Sequence, residues 1–546
     1  MPLNQFSKFA DDIRKQKYSH TINGSMETWA QTSARVASNV LGAIHASDGL
    51  IKEISWLIEQ RKFLPGGRQL YSAGRPFHNI NNCFLLRAED SREGWAELMY
   101  KSAMCLMVGG GIGVDYSDVR PEGSIIGRTG GFATGPLSLM AILNEQGRGI
   151  MQGGSRRSAI WAGLRWDHAD VHKFIQIKNW TKDVRAMKAK DYNFPATLDG
   201  TNVSVQLNDA FFAAYKNHED PKHTLAHSVY WAVIERMLKT GEPGFSVDCG
   251  DNTNETLRNA CTELTSSDDS DVCCIGSINM ARIHSLEEME HVTRMGTIFL
   301  LAATVYSDTP YDKVKIVRDK NRRLGLGLMG LHEWLLRRGK SYGPDNELEK
   351  YLDVYKSVSR NTADFNADLL GISRPVKVRA IAPNGTISII GQTTSGCEAL
   401  FCAAYKRRYL KGSVWNYQYV IDPIAKSLVD SGANPDTIED CYSISPQRRV
   451  EFQVWLQKYI DHGISSTINL PSWGSEENNE DTVRPFGEML IKSLPNLRGI
   501  TCYPDGSRSG QPLQTVSYKT AIRHVGDVFQ EQGDICDIRG GGSCGA

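Results

Sequence analysis

Apolar residues recur at helical spacing through METWAQTSARVASNVLGAIHA and DGLIKEISWLIEQRKFL, which predicts a helical lead-in from residue 1 to about residue 63. A turn-rich stretch, LPGGRQLYSAGRPFHN, then delivers the chain into a short apolar strand, NNCFLL. A helix follows at WAELMYKSAMCLMVGG, and a glycine turn opens the strand GVDYS. Further amphipathic helices are predicted over His227–Lys239, Glu287–Ser307 and Leu348–Leu370, the last ending at Gly371. VRAIAPNGTISIIGQTTSGCEALF reads as strand, polar turn, strand and loop. More α/β elements come after Tyr409, among them SSTINLP and NLRGITCYPDGSR, and from about Ser507 the chain turns polar and glycine-rich. Strands alternating with helices predict an α/β body.

Composition narrows the function. With 41% hydrophobic residues over 546 positions, the chain can bury a large core. Its 62 basic and 62 acidic residues cancel, so no basic excess points to nucleic acid. The first twenty residues carry no apolar leader, and no run of 18 apolar residues suggests a membrane span. The twelve cysteines therefore read as reduced thiols of a cytoplasmic protein. They form no CxxC…CxxC array, and no metal site is expected.

Asn259-Ala260-Cys261-Thr262-Glu263 places an amide, a thiol and a carboxylate at alternate positions, which on an extended backbone point the same way. Cys273 and Cys274 follow shortly after in DVCCIGSIN. Taken alone, NxCxE also suits an ordinary loop with a buried cysteine. Gly325, Gly327 and Gly330 spell GxGxxG, but RDKNRRL before them is no buried strand, so a dinucleotide site is not expected and close helix packing is. GGGIG at 109–113 suits a tight turn or a phosphate cradle, without the Lys-Ser/Thr of a P-loop. His168, Asp170 and His172 read as a helix start with Asp170 near the cap rather than as metal ligands. Pro383, Asn384, Gly385, Thr386, Ile387 and Ser388 form a turn whose N–H and hydroxyl groups suit either a plain β-turn or phosphate. Gln152-Gly-Gly-Ser-Arg156-Arg157 suits a surface turn or a loop that senses an anion.

Taken in order, NNCFLL, GGGIGVDYSDVRPEG, MQGGSRRSA, NACTE, CCIGSINMARI, RRLGLGLMG, APNGTIS, TSGCEALF, TINLP and a cysteine-bearing tail resemble the catalytic subunit of ribonucleotide reductases, from about Pro65 onward. The resemblance implies a ten-stranded αβ barrel of two half-barrels with a central finger loop, preceded by a helical segment. It divides the chain into residues 1–64, a catalytic barrel over 65–506, and a C-terminal part over 507–546 ending in a redox tail. It implies that Cys261 carries a thiyl radical, that Glu263 is the general base, that Asn259 is its hydrogen-bond partner, and that Cys83 and Cys273 supply two electrons, with Cys274 as a competitor for Cys273. Pro383 to Ser388 would bind substrate. Asp90 and Arg120 would hold an effector, and Gln152 and Arg156 would link effector to substrate base. Cys536 and Cys544 would form the tail pair, seven residues apart.

The place where metal-dependent members carry adjacent tyrosines reads ITCYPDGSRSGQPL, with Cys502 before Tyr503. The phrase resembles the adenosylcobalamin-dependent (class II) group, which implies that cofactor and no radical-generating subunit. The alternatives are a class I large subunit, or a nucleotide-binding regulator without catalysis. Expected partners are ribonucleotide substrates, deoxynucleotide or ATP effectors, and a thioredoxin- or glutaredoxin-like reductant, in a monomer or homodimer. The short N-terminus predicts specificity control without a dATP off-switch.

Overall fold

Five strands in the first half of the chain pair in parallel: β1 (Cys83–Arg87), β2 (Gly111–Asp115), β3 (Ile160–Arg165), β4 (Thr201–Asn208) and β5 (Gly244–Asp248). Parallel neighbours need long crossovers, and helices supply them, as Arg92–Met107 does between β1 and β2 and His223–Thr240 between β4 and β5. The second half repeats the scheme with β6 (Asp271–Asn279), β7 (Leu324–Met329), β8 (Thr467–Leu470) and β9 (Gly499–Pro504); β6 runs parallel to β7, and β8 to β9. This computed structural model describes residues 6–127, 129–150, 158–191, 194–411, 414–507 and 513–530.

An extended segment, 377–382, joins β7 to β8. On one side Leu326 N donates to Val378 O (2.9 Å) and Ala380 N to Leu326 O (3.1 Å). On the other, Ile381 N donates to Gly463 O (3.2 Å) and Ser465 N to Ile381 O (2.9 Å), both pairings being parallel. The two halves meet at antiparallel seams, β6 on β1 and β9 on β5. With this segment as the tenth stave, backbone pairing runs round a full circuit of two five-stranded halves. The expected barrel is thus borne out.

Each half carries an outer core. Phe299, Leu300 and Trp334 lie in one, Trp166, Phe211 and Tyr230 in the other. A third, small cluster fills the lumen: Cys83, Leu85, Leu257, Leu264, Cys273, Ile275, Ala380 and Ala382. The helical lead-in packs on the second half. Its helices Trp29–Gly42 and Asp48–Glu59 bury Val36, Val40, Leu41, Ile54 and Ile58, and Phe63–Pro65 pairs with β6. Four short antiparallel strands, in the order Leu513–Thr515, Ala404–Lys411, Val414–Ile421 and Val528–Gln530, form a separate sheet. Among the described residues, no helix is long and apolar enough to cross a membrane.

Two expectations are corrected. Ile387–Gly391 is a short helix rather than a strand; the apolar run ISII is too short for periodicity to separate the two. Gly325 and Gly327 lie within β7 and do not mediate helix packing. A Cβ on Gly327 would stand 2.6 Å from the Ala380 carbonyl, and one on Gly325 would stand 3.2 Å from Cys273 Sγ, so they let the closing segment and the lumen sulfur approach the strand.

Candidate active site

The crossover from β5 to β6, residues 249–270, carries a two-stranded ribbon, Leu257–Arg258 against Thr265–Ser266, into the lumen. The wall yields to it through glycine. A Cβ on Gly113 would lie 1.9 Å from the Arg258 carbonyl oxygen, and one on Gly111 would lie 3.0 Å from the Ala260 methyl. The glycines of GGGIG therefore make room for the loop, and Gly109 supplies the turn into β2 at φ +83°. Inside the loop, Arg258 donates to the Val247 carbonyl (2.7 Å), Thr265 Oγ1 to Glu255 (2.7 Å), and Lys377 pairs with Glu255. The opposite half grips it too: Gly463 N donates to Glu263 O (2.7 Å) and Thr265 N to His462 Nδ1 (3.2 Å).

The tip is a turn, and the extended alternation expected from NxCxE is corrected. Thr262 N donates to Asn259 O (3.1 Å), and Thr262 takes φ +68°, the left-handed region. Asn259 Oδ1 accepts from Leu264 N (3.0 Å), so the buried amide braces the turn. Cys261 is left partly exposed while Glu263 is buried. Both line one cavity of about 170 Å³ together with Cys83, Asn82, Ile275, Ala382 and the 383–387 turn. Burial pushes the Glu263 carboxyl up to about 7, partly offset by the neighbouring Asn259 amide.

Cys83 and Cys273 sit directly opposite each other across the β1–β6 seam. Opposed residues of antiparallel strands have Cα atoms roughly 4.5–5.5 Å apart, inside the range a disulfide spans. Side chains alternate along β6, so Cys273 belongs to the lumen cluster, while Cys274 belongs to the outer core and donates to Asn81 Oδ1 (3.4 Å). Burial holds both thiols up, Cys274 to about 12.

At the mouth of this cavity Asn384 takes φ +55°, and Ser277 Oγ donates to its Oδ1 (3.1 Å). Ser388 Oγ shares a hydrogen bond with Ser395 (2.8 Å). Several buried polar atoms here have no hydrogen-bond partner: Asn82 Oδ1, Asn259 Nδ2, Glu263 Oε2, Asn384 Nδ2, Thr393 Oγ1 and Thr394 Oγ1. Each costs about 1–3 kcal/mol when left unmet; Asn82, Glu263 and Asn384 line this cavity, and Thr393 and Thr394 line a neighbouring one. Asn82 went unnoticed in the sequence, although it adjoins Cys83; a Cβ on Gly66 would stand 2.8 Å from its side chain.

The remaining candidates fall elsewhere. Asp90 and Arg120 are brought together, Arg120 Nε donating to both carboxylate oxygens (2.8 and 3.0 Å). They follow the C-terminal ends of β1 and β2, whereas Cys83 and Gly111, at the beginnings of those strands, line the cavity. Asp170 precedes the helix Val171–Gln176 as expected, and its carboxylate accepts from Glu122 N (2.9 Å). His168 Nε2 bonds the Val119 carbonyl (2.8 Å). Gln152, Arg156, Cys536 and Cys544 lie outside the described residues. Cys502 is buried on β9 in the outer core of the first half, directly before Tyr503.

A family model described as "Ribonucleotide reductase, barrel domain" matches residues 81–237, 220–362 and 373–496, which take in the finger loop and every stave but β9. The chain belongs to the ribonucleotide reductase family. It is 26% identical to a vitamin B12-dependent ribonucleoside-diphosphate reductase of Thermoplasma acidophilum, over 86% of this chain and 67% of that one. It is 28% identical to a putative adenosylcobalamin-dependent ribonucleoside-triphosphate reductase of Mycobacterium phage D29, over 81% and 74%. The ribonucleoside-diphosphate reductase large chain of Schizosaccharomyces pombe is 25% identical, over 96% of this chain and 68% of that one.

Proposed function

We propose that this chain is an adenosylcobalamin-dependent, class II ribonucleotide reductase that converts ribonucleotides to 2′-deoxyribonucleotides by radical chemistry. The observation that carries the reading is one cavity reached by Cys261, Glu263 and Cys83, with Cys273 opposite Cys83. A thiyl radical at Cys261 takes the ribose 3′-hydrogen, and Glu263 accepts the 3′-hydroxyl proton. The 2′-hydroxyl then leaves as water, protonated by one thiol of the Cys83–Cys273 pair. That pair gives two electrons and closes as a disulfide, and Cys261 returns the hydrogen to C3′. Asn259 holds the turn that aims Cys261 and Glu263. Residues 383–388 hold the substrate's phosphates, and exchange with a thiol reductant, relayed by Cys536 and Cys544, reopens the disulfide. Asp90 and Arg120, with Gln152 and Arg156, form the effector site.

The residues present fit the cofactor. A second cavity of about 420 Å³ meets the first at Gly385 and offers apolar faces in Ile389, Leu400 and Phe401. The unpartnered hydroxyls of Thr393 and Thr394 line it and would serve the amide side chains of a cobalamin. When bound, adenosylcobalamin supplies the one-electron start that makes the Cys261 thiyl. Cys502 before Tyr503 leaves no adjacent tyrosine pair to receive a radical from a second subunit.

The test is direct. Purified chain, adenosylcobalamin, a dithiol and ribonucleotides, kept anaerobic, should yield deoxynucleotides. No product with the cofactor, together with product on adding a metal-loaded second protein, would replace this reading with a class I large subunit.

A further inference from the structure

His462-Gly463, just before β8 in the chain, touches the finger beside its carboxylate. Gly463 N donates to Glu263 O, Asn259 Oδ1 accepts from Leu264 N, and His462 Nδ1 accepts from Thr265 N. Two consecutive peptide groups after Glu263 are thus pinned, and the second is pinned by a side chain of the opposite half. Glycine suits position 463, where a Cβ would stand 3.1 Å from Glu263 O and 3.3 Å from Thr262 O. His462 is fully buried and is not among the residues lining the cavity. Thr265 Oγ1 donates to Glu255 (2.7 Å), which leaves the backbone N–H as the donor to the ring. A backbone N–H can only donate, so Nδ1 presents a lone pair and the ring proton sits on Nε2. Nε2 has no hydrogen-bond partner among the described residues. A second ring proton would turn a donor toward the Thr265 N–H. Burial, and then Arg323, Lys377, Arg379 and Arg258, hold the imidazole well below its ordinary value of 6.5, so the acceptor persists.

We propose that His462 is a positioning residue for the Glu263 carboxyl, acting through the Nδ1 lone pair that holds Thr265 N. The proposal rests on the reading of Glu263 as the general base. A reacting group displaced by about 1 Å can cost around 10²-fold in rate, so one hydrogen bond two residues from the carboxylate has leverage on turnover without touching substrate.

The same contact ties the base to the closing segment. His462 N donates to Arg379 O (3.0 Å) and Ile381 N to Gly463 O (3.2 Å). The Asp461 carboxylate accepts from Val378 N (3.1 Å) and Arg379 N (2.7 Å). That segment runs on into residues 383–388, so one stretch of backbone sets the place of both the base and the turn read as the substrate site.

Three substitutions in the full chain separate the acceptor from the bulk of the ring. In His462→Asn the amide oxygen can take the place of Nδ1. In His462→Gln the amide reaches toward Nε2 instead, and His462→Leu fills the space without an acceptor. With adenosylcobalamin, a dithiol and ribonucleotides, kcat should fall about 30-fold in the Leu variant and about tenfold in the Gln variant, with KM within about threefold. His462→Asn should keep kcat within about threefold of the parent. Hydrogen exchange read by mass spectrometry over residues 260–266 needs no turnover. Exchange at Thr265 N should quicken about tenfold or more in the Leu and Gln variants and stay near the parent rate in His462→Asn. If the Leu variant does not fold, the Gln and Asn variants carry the comparison alone. Parent-like kcat and exchange in His462→Gln overturn the proposal, as does a His462→Asn variant no better than Gln by either measure. The exchange order without the kcat order keeps the hydrogen bond and overturns its part in positioning the base. A parent that makes no deoxynucleotide overturns the reading of the reaction, while the exchange order still decides whether His462 holds Thr265.

Discussion

The two seams of the barrel are built alike and used differently. At β1–β6, Cys83 faces Cys273 and Leu85 faces Asp271; at β5–β9, Ser246 faces Gly499 and Phe245 faces Ile500. Both are antiparallel junctions between parallel halves, and both place side chains directly opposite, as antiparallel pairing does. Only the first puts sulfur on sulfur beside the finger tip. The cysteine on β9, Cys502, lies beyond its paired stretch and in the outer core. An antiparallel junction therefore supplies the geometry for a dithiol, and the residue placed there decides whether it becomes one.

The strongest break of that contrast is at the finger tip. Cys261→Ser should lower deoxynucleotide formation by a factor on the order of 10³ or more, with the melting temperature essentially kept. Nearly as large, Cys273→Ser should remove steady-state turnover by a factor on the order of 10² or more. Cys502→Ser on β9, beyond the other seam, and Cys274→Ser on the opposite face of β6, should keep the rate within about twofold while each costs about 1–3 kcal/mol for a buried hydroxyl. If Cys274→Ser lost turnover and Cys273→Ser kept it, the face assignment along β6 would be wrong.

Glu263→Gln should reduce turnover by about 10²–10⁴-fold, the usual contribution of a general base. In the parent, activity should climb with pH through about 7 as the Glu263 carboxylate forms. Stability moves the other way. The folded carboxyl titrates near 7 against an ordinary value of 4.5, so its stabilising contribution is complete below about 4.5 and is lost as pH rises through about 7. The Gln variant should therefore gain on the parent in melting temperature over that window.

Gly113→Ala would press a methyl onto the Arg258 carbonyl and lift the finger. A displacement of about 1 Å should cost around 10²-fold in rate, with circular dichroism unchanged. Gly42→Ala, at a helix position with nothing within 4 Å, should leave activity intact and stabilise the chain by up to about 1 kcal/mol.

Much of this was legible in the residues. The helices over 223–240, 286–306 and 346–369 follow from apolar periodicity, and the order of motifs marks the barrel. The thiol, carboxylate and opposing cysteines were named from NACTE, NNCFLL and CCIGSIN. Three things were not legible. Thr262 in the left-handed region is a tertiary demand of the lumen, and a threonine gives no sign of it. The role of GGGIG depends on a loop more than 140 residues away pressing on β2. The choice between Cys273 and Cys274 is one of strand face, which a CC pair leaves undecided until register is fixed.

The closing segment is held by a handful of backbone bonds on either side, and like β6 it is buried over most of its length. It is also the stave that runs straight into residues 383–388. Closed sheets leave no unpaired edge, and here this segment completes the closure. Amide hydrogens of Leu326, Ile381 and Ser465 report on its opening, and freeing them would bare two sticky edges at once. A ligand seated on the adjoining turn would thus do more than present itself to the thiols: it would act as the clasp that keeps the molecule from pairing with its neighbours.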